Sequence, residues 1–122
     1  MTFDKFTIKA QEVVQEAVNT AQMNGQQTIE PIHVLKGILT KAKDVSTFIF
    51  QKLGVNANQV AMLVDQEIQH LPKVQGGQPY LSNDANSVLT KAMDTAKQMG
   101  DEFVSVEPIL LALLTVNSTA SR

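Results

Sequence analysis

The chain has 122 residues, no cysteine and a formal net charge of −2 at pH 7. At this length we expect one compact domain with a real hydrophobic core. The absence of cysteine excludes disulfides, thiol catalysis and zinc–thiolate sites. The small negative charge argues against a surface for nucleic acid or anionic membrane, which would need clustered lysine and arginine. No apolar run reaches membrane-spanning length, and the residues after Met1 are too polar for a secretory signal, so a cytoplasmic location is the default expectation.

The first two predicted helices are marked by their ends. Thr7 suits the N-cap position because its hydroxyl can accept from an orphan N–H of the first turn. Apolar residues at positions 10, 13, 14, 17, 18 and 21 then follow helical periodicity up to Gly25, which suits a left-handed stop. Glu30 and Pro31 predict the start of the second helix, since proline at the first helical position loses no needed donor and a carboxylate favours the positive end of the helix dipole.

The next stretch predicts two further helices and then a linker. Ser46 is the expected N-cap of a short third helix that Gly54 ends. Asn56 opens a fourth helix, which Pro72 closes. Residues 73–81 are rich in glycine and have the composition of a linker. The strand-like pair Thr28–Ile29 is too short to predict a sheet, and we expect it to have no consequence for the fold.

The remaining residues repeat the first part of the chain. Residues 7–39 align without a gap on residues 82–114, so a helix is predicted from Ser82 to about residue 99, with Gly100 as its stop. Ser105 is the expected N-cap of a last helix that continues through residue 114.

Self-similarity at a fixed spacing is the mark of a duplicated supersecondary unit. The predicted fold is an all-α, duplicated helical-repeat bundle. Its parts are repeat one at residues 1–72, a linker at residues 73–81 and an incomplete repeat two at residues 82–122.

The second copy has no counterpart of residues 46–72, and Ser121 stands where the cap of a further helix would be. We therefore expect a fragment of a longer protein. Burying a leucine side chain stabilises a fold by about 1.5–3 kcal/mol. Uncovered leucines would therefore favour fraying of the last helix, packing against a neighbouring molecule, or a domain-swapped dimer. The leucines expected to be uncovered are Leu110, Leu111, Leu113 and Leu114.

The helix starts carry a family resemblance. Phe6 and Thr7 precede an alanine-spaced first helix ending in Gly25, and the second helix opens with Glu-Pro-Ile-His-Val-Leu at residues 30–35. This pattern resembles the N-terminal repeat domain of the Clp ATPases. Leu-Pro-Lys-Val at residues 71–74, before a glycine-rich linker, is similar to the ClpB-type disaggregases, whereas the ClpA and ClpC branches more often open the second helix with Thr-Glu-His. The resemblance implies a fold of eight helices in two four-helix repeats.

The resemblance also implies a function. It indicates a non-catalytic domain that binds apolar segments of unfolded or aggregated polypeptides and delivers them to an AAA+ ring. The parent would be a hexameric ring. ATP and magnesium would belong to other domains of the parent, and this chain would need no cofactor of its own. The alternative within the family is docking of a folded adaptor or co-chaperone, as in the ClpA and ClpC branches.

Candidate substrate-binding residues follow from the same resemblance. The polar positions that match are Thr7, Asp101 and Glu107, beside an apolar groove. The chain departs from a uniformly apolar groove at Lys91, Thr95 and Pro108. Each of the three polar residues also has a structural interpretation, because a threonine can cap a helix, an aspartate can follow one, and a glutamate favours its first turn.

A small helical metal carrier or enzyme is an alternative of a different class. Glu30 and His33 have the Glu-x-x-His spacing of di-iron carboxylate bundles, and His70 could join them. The duplicated positions are Ser105 and Pro108, which cannot complete such a site. A helix-start glutamate with a packed or capping histidine is therefore the favoured interpretation.

Two further groups have ordinary explanations. The basic residues Lys36, Lys41 and Lys43, with Lys5 and Lys9, lack interleaved aromatic residues and are expected to form a solvated face. The methionines Met62, Met93 and Met99 are expected to fill the core, although methionine surfaces can also bind varied peptides.

Overall fold

The computed structural model describes residues 3–74 and 76–115. These residues form six helices and two short strands, so the predicted all-α class is confirmed. Within the described part of the chain, no helix is both long enough and apolar enough to cross a membrane. The elements in chain order are α1 (Ile8–Met23), β1 (Thr28–Ile29), α2 (Pro31–Lys41), α3 (Lys43–Leu53), α4 (Ala57–His70), β2 (Tyr80–Leu81), α5 (Asn83–Gln98) and α6 (Val106–Thr115).

The predicted N-caps of α1, α4 and α5 are confirmed. The Thr7 hydroxyl accepts from the Ala10 N–H at 3.1 Å, and the Ser82 hydroxyl accepts from the Ala85 N–H at 3.0 Å. Asn56 caps α4 in the same way through its side-chain oxygen. Each bond satisfies one of the orphan donors of a first turn, so the chain leaves extended backbone and enters the helix at these residues.

The predicted start of α3 is wrong. The helix begins at Lys43, three positions before the expected cap, and follows a one-residue corner at buried Ala42. Ser46 lies inside the first turns and its hydroxyl donates to the Lys43 carbonyl at 3.0 Å. A serine that bonds back into its own helix carries the same sequence signal as one that caps a helix.

The core runs through both repeats. Helices α1 and α2 pack most closely, because Gly37 lets the α2 backbone approach the carbonyl of Val13; a Cβ at position 37 would collide with that oxygen. The largest fully buried apolar side chains are Phe6, Ile38, Leu89, Ile109, Leu110 and Leu113.

Short strand pairings join the repeats reciprocally. Strand β1 of the first repeat pairs in parallel with β2, at the end of the linker that leads into the second repeat, with Ile29 opposite Leu81. The start of the first repeat pairs with the loop of the second in turn, through a parallel bridge between Phe6 and Val104. The expectation that Thr28–Ile29 has no structural consequence is therefore wrong, since these contacts tie each repeat's first residues to the other repeat's interhelical loop.

The expected uncovered leucines are mostly covered. Leu110 and Leu113 are buried at 0% and 1% exposure, and Leu114 is half-buried against the core. Only Leu111 of the four is exposed, at 48%. Contacts of α6 with α5 and α2 supply the cover, so the prediction is wrong for the inward-facing leucines. Ser121, the cap expected beyond α6, lies outside the described residues.

Candidate functional site

The start of the chain lies against the loop between α5 and α6. The Thr7 N–H donates to the Val104 carbonyl at 2.9 Å, and the Val104 N–H donates to the Lys5 carbonyl at 2.7 Å. Phe6, between these bonds, is buried at 2% exposure and anchors the crossing in the core. This geometry places Thr7 beside the loop that holds Asp101 and leads into the first turn of α6.

The predicted polar residues fall at this crossing. Thr7 is half-buried with its hydroxyl committed to the α1 cap. Asp101 is exposed just after Gly100, whose φ of 76° turns the chain out of α5. Glu107 is exposed in the first turn of α6, where its carboxylate favours the positive end of the helix dipole. An exposed carboxylate therefore stands on the loop that Thr7 contacts, and another stands at the start of the helix that follows it.

Exposed apolar side chains lie on the same two segments of the chain. Ile8 is 72% exposed, Met99 67% and Phe103 46%. We call Thr7, Ile8 and residues 99–107 the α5–α6 surface. Sequence reasoning did not single out Ile8 and Phe103, although Ile8 lies outside the apolar period of α1 and so could not belong to its buried face.

A cation also lies at this surface. The Lys5 ammonium sits 5.9 Å from the centre of the Phe103 ring, within the range of a cation–π contact. In the described ranges, neither Asp101 nor Glu107 takes part in an ion pair. The surface thus combines exposed apolar area with carboxylates that are free to meet charged groups of a partner.

The other three predicted residues lie apart from this crossing. Lys91 is exposed on the outer face of α5, where it lines a shallow polar depression of about 530 Å³ together with Asn86 and Thr90. Thr95 is half-buried one turn further along α5, and Pro108 is buried at the start of α6. Among the described side chains, no hydrogen bond or ion pair joins any predicted site residue to another.

His33 belongs to a buried hydrogen-bond chain. Its Nδ1 accepts from the Glu30 N–H at 2.8 Å, so the ring proton sits on Nε2, which faces the Gln26 side-chain oxygen at 2.7 Å. The Gln26 amide nitrogen donates in turn to the Ile68 carbonyl at 2.6 Å. The interpretation of His33 as a packed, capping histidine is confirmed. Through Gln26, which follows α1, the hydrogen-bond chain joins the start of α2 to the last turn of α4.

Both ring nitrogens of His33 are already used within the protein, because Nδ1 accepts from the Glu30 N–H and Nε2 faces the Gln26 side-chain oxygen. Burial lowers the pKa of His33 from 6.5 to about 4, so the buried ring is uncharged near neutral pH. His70 is exposed at the end of α4. In residues 3–74 and 76–115, no cluster of three or more histidine, aspartate or glutamate side chains is placed to hold a metal ion.

The lysine and methionine expectations differ in outcome. Lys36 forms an ion pair with Asp65 of α4 at 2.8 Å, so one of the lysines joins two helices instead of only facing solvent. The prediction of methionines as core filler is wrong: Met62 is 63% exposed and Met99 67%, and Met93 is also exposed. Met62 lies outside the buried stripe of α4, and Met99 is the residue that follows α5.

Comparison with known proteins identifies the class. Residues 5–122 match the family model of the Clp repeat (R) N-terminal domain, and the chain belongs to this family. It is 61% identical over 121 residues to the chaperone protein ClpB of Bacteroides thetaiotaomicron and 45% identical over 121 residues to that of Porphyromonas gingivalis. Both alignments cover 99% of this chain and 14% of the relative's length. The chain is thus a Clp N-terminal domain of the ClpB type.

Solved structures show the same fold. The N-terminal domain of Hsp104 from Candida albicans superposes with a TM-score of 0.80 at 24% identity, covering 93% of this chain and 75% of that one. The N-terminal domain of a ClpV1 ATPase from E. coli superposes with a TM-score of 0.86 at 19% identity, covering 98% of this chain and 73% of that one. Such likeness at low identity concerns the fold alone.

Proposed function

We propose that this chain is the substrate-recognition domain of a ClpB-type ATP-dependent chaperone. It binds exposed apolar segments of unfolded or aggregated polypeptides on the α5–α6 surface and passes them to the AAA+ ring of the parent. The domain itself is non-catalytic. ATP and magnesium act in other domains of the parent, a hexameric ring working in the cytoplasm.

One observation carries the proposal: exposed Ile8, Met99 and Phe103 and the exposed carboxylates of Asp101 and Glu107 all lie on the two segments that meet at one crossing of the chain. Contiguous exposed apolar area on a folded domain marks a contact site for another molecule. An unfolded polypeptide offers apolar side chains for this area and backbone N–H groups for the carboxylates. Such a surface suits capture of many sequences with low affinity.

Weak capture is sufficient for delivery. A domain tethered to the ring makes the transfer of its bound segment an intramolecular event, and tethering raises the effective concentration of the segment without any new contact. The domain therefore gains by releasing its substrate readily, and a shallow surface serves that purpose better than a deep pocket.

The test is binding of a fluorescent, reduced and alkylated unfolded polypeptide, followed by anisotropy. Phe103→Ser removes exposed apolar area, and Asp101→Ala with Glu107→Ala removes the carboxylates. The matched control is Asp44→Ala, which removes an exposed first-turn carboxylate from α3 on the other repeat. We expect both α5–α6 variants to weaken binding by about threefold to tenfold, corresponding to roughly 1 kcal/mol, and the control to match wild type.

Other outcomes assign other functions. Equal binding by wild type and both α5–α6 variants would overturn the proposal. Binding of a folded adaptor in place of the unfolded polypeptide would assign the docking role of the ClpA and ClpC branches. Stoichiometric metal in the purified chain would support the alternative of a metal carrier or enzyme built on Glu30, His33 and His70.

A further inference from the structure

The first repeat carries an extended segment of its own on its interhelical loop. After α4 ends, the chain runs back over the α1–α2 loop, and the Val74 N–H donates to the Gly25 carbonyl at 2.8 Å. The Lys73 ammonium donates to the Asn24 carbonyl at 3.0 Å. The loop carbonyls of this repeat thus bind one backbone N–H and one lysine of an extended Leu-Pro-Lys-Val segment.

Two glutamines of the same loop complete the contact. The Gln26 side-chain nitrogen donates to the Ile68 carbonyl at 2.6 Å, and the Gln27 side-chain nitrogen donates to the Gln78 carbonyl at 3.3 Å. Both glutamines act as donors toward carbonyls of the segment that begins with the last turn of α4. The loop therefore holds residues 73 and 74 through two acceptors, and it contacts residues 68 and 78, on either side of that segment, through two donors.

The second repeat presents the equivalent loop with a different chemistry. The turns match: the Gln26 N–H donates to the Ala21 carbonyl at 2.8 Å, and the Asp101 N–H donates to the Ala96 carbonyl at 2.9 Å. Met99 and Gly100 occupy the positions of Asn24 and Gly25. Within residues 3–74 and 76–115, no donor reaches either of their carbonyls.

The donors of the first loop are replaced by acceptors in the second. Asp101 and Glu102 stand where the first repeat has Gln26 and Gln27, and an ionised carboxylate can only accept. Both carboxylates are exposed, whereas Gln26 is buried under its segment. A segment seated here therefore meets acceptors where the first loop offers the donors that reach the Ile68 and Gln78 carbonyls, so it must bring donors of its own.

We infer that the α5–α6 loop binds an extended polypeptide segment in which a lysine or arginine is flanked by apolar residues. The segment lies on residues 99–102 as residues 71–74 lie on the first loop. Its N–H donates to the Gly100 carbonyl, and its cation meets the Met99 carbonyl together with the carboxylates of Asp101 and Glu102. This inference rests on the proposed function and names the class of substrate that its surface selects.

The surroundings fit such a segment. Exposed Met99 and Phe103 offer apolar area on either side of the carboxylates. In the first repeat's loop, the residue equivalent to Phe103 is Thr28. Lys5, over the Phe103 ring, is the neighbouring cation; it forms no ion pair with either carboxylate within the described part of the chain. A cationic group of a partner therefore finds both carboxylates open.

The test uses three capped heptapeptides on the 122-residue chain. One has the sequence of residues 69–75, one has glutamate in place of its lysine, and one has norleucine there. Amide chemical shifts of ¹⁵N-labelled protein follow each titration, and the protein variant is Asp101→Gln with Glu102→Gln, which rebuilds the first repeat's loop. Asp84→Asn with Asp94→Asn, two exposed carboxylates of α5, is the control for net charge.

We expect the lysine peptide to shift amides of residues 99–104 and to bind about fivefold or more tightly than the glutamate peptide, the size that two exposed charge pairs of ordinary strength give. The norleucine peptide should fall between them. The loop variant should lose the preference, the control variant should keep it, and added salt should weaken it.

A reduced and alkylated unfolded polypeptide separates the two hypotheses. If the unfolded polypeptide shifts amide signals of the α5–α6 surface while the three peptides bind equally or not at all, the inferred preference for a cationic residue is wrong and the proposed function stands. If the unfolded polypeptide shifts nothing, the proposed function fails and this inference fails with it. A preference for lysine that survives in the loop variant would also overturn the inference.

Discussion

Thr7 has two roles that substitution can separate. Its N–H belongs to the crossing with Val104, while its hydroxyl caps α1 through the Ala10 N–H. Thr7→Val keeps the shape and the N–H but removes the cap, so we expect unfolding free energy to fall by about 1 kcal/mol. Urea denaturation measures the change, with Thr7→Ser as the control that keeps a hydroxyl. A valine variant as stable as wild type would mean that the cap contributes nothing.

His33 makes stability depend on pH. Its pKa is lowered to about 4 in the fold, whereas the unfolded chain protonates it near 6.5. Between these values the unfolded state binds more protons, so this residue's contribution is complete above about pH 6.5 and is lost as the pH falls through about 4. The full effect amounts to roughly 3 kcal/mol.

Because carboxylates titrate in the same range, the measurement is a difference between variants. Denaturation of wild type, His33→Leu and the exposed-site control His70→Gln is compared from pH 4 to pH 7.5. We expect the leucine variant to be less stable at neutral pH and to lose part of the pH slope. An unchanged slope in the leucine variant would show that His33 titrates normally in the fold.

At the scale of elements, Gly37 sets the distance between α1 and α2. Because a Cβ at this position would collide with the Val13 carbonyl oxygen, Gly37→Ala forces the helices apart. Overpacking of this kind costs about 1–3 kcal/mol, although alanine favours a helix. Thermal unfolding measures the loss, and Thr40→Ala, at an exposed position of the same helix, is the control. Stability equal to wild type would mean that the two helices have room to adjust.

Local signals predicted most element ends, and non-local contacts decided the rest. The caps at Thr7, Asn56 and Ser82 act within three residues, so sequence shows them. The start of α3 was missed because Ser46 has the same cap chemistry but uses it inside the helix. Strand β1 has only two residues, and its partner β2 lies far along the chain at the end of the linker, so no local pattern could reveal the pair.

The candidate site shows the same division. The positions of Asp101 and Glu107 followed from a family resemblance, and their placement beside Thr7 depends on a bridge between residues far apart in sequence. Helical periodicity predicts which face is buried, yet it does not show that exposed Phe103 and Met99 flank the carboxylates. The exposure of Met62 and Met99 was missed because methionine's apolar character alone says nothing of its partners.

At the scale of the molecule, the crossings between repeats should protect particular amides. The N–H groups of Thr7, Ser82 and Val104 donate across the two repeats at 2.9, 3.0 and 2.7 Å. We expect their hydrogen exchange to be slow, because opening them requires the repeats to separate. Exposed first-turn amides such as that of Asp84 serve as the fast reference. Fast exchange at all three crossing amides would show that the repeats move independently.

The proposed function requires an unfolded polypeptide to bind the domain at the α5–α6 surface. Amide chemical-shift mapping of the ¹⁵N-labelled chain with a reduced, alkylated polypeptide measures this directly. The predicted result is a set of shifted amides at Thr7, Ile8 and residues 99–107, with α3 and α4 unchanged. Shifts confined to the α3–α4 half, or no shifts at concentrations where the full-length chaperone binds the same polypeptide, would contradict the account.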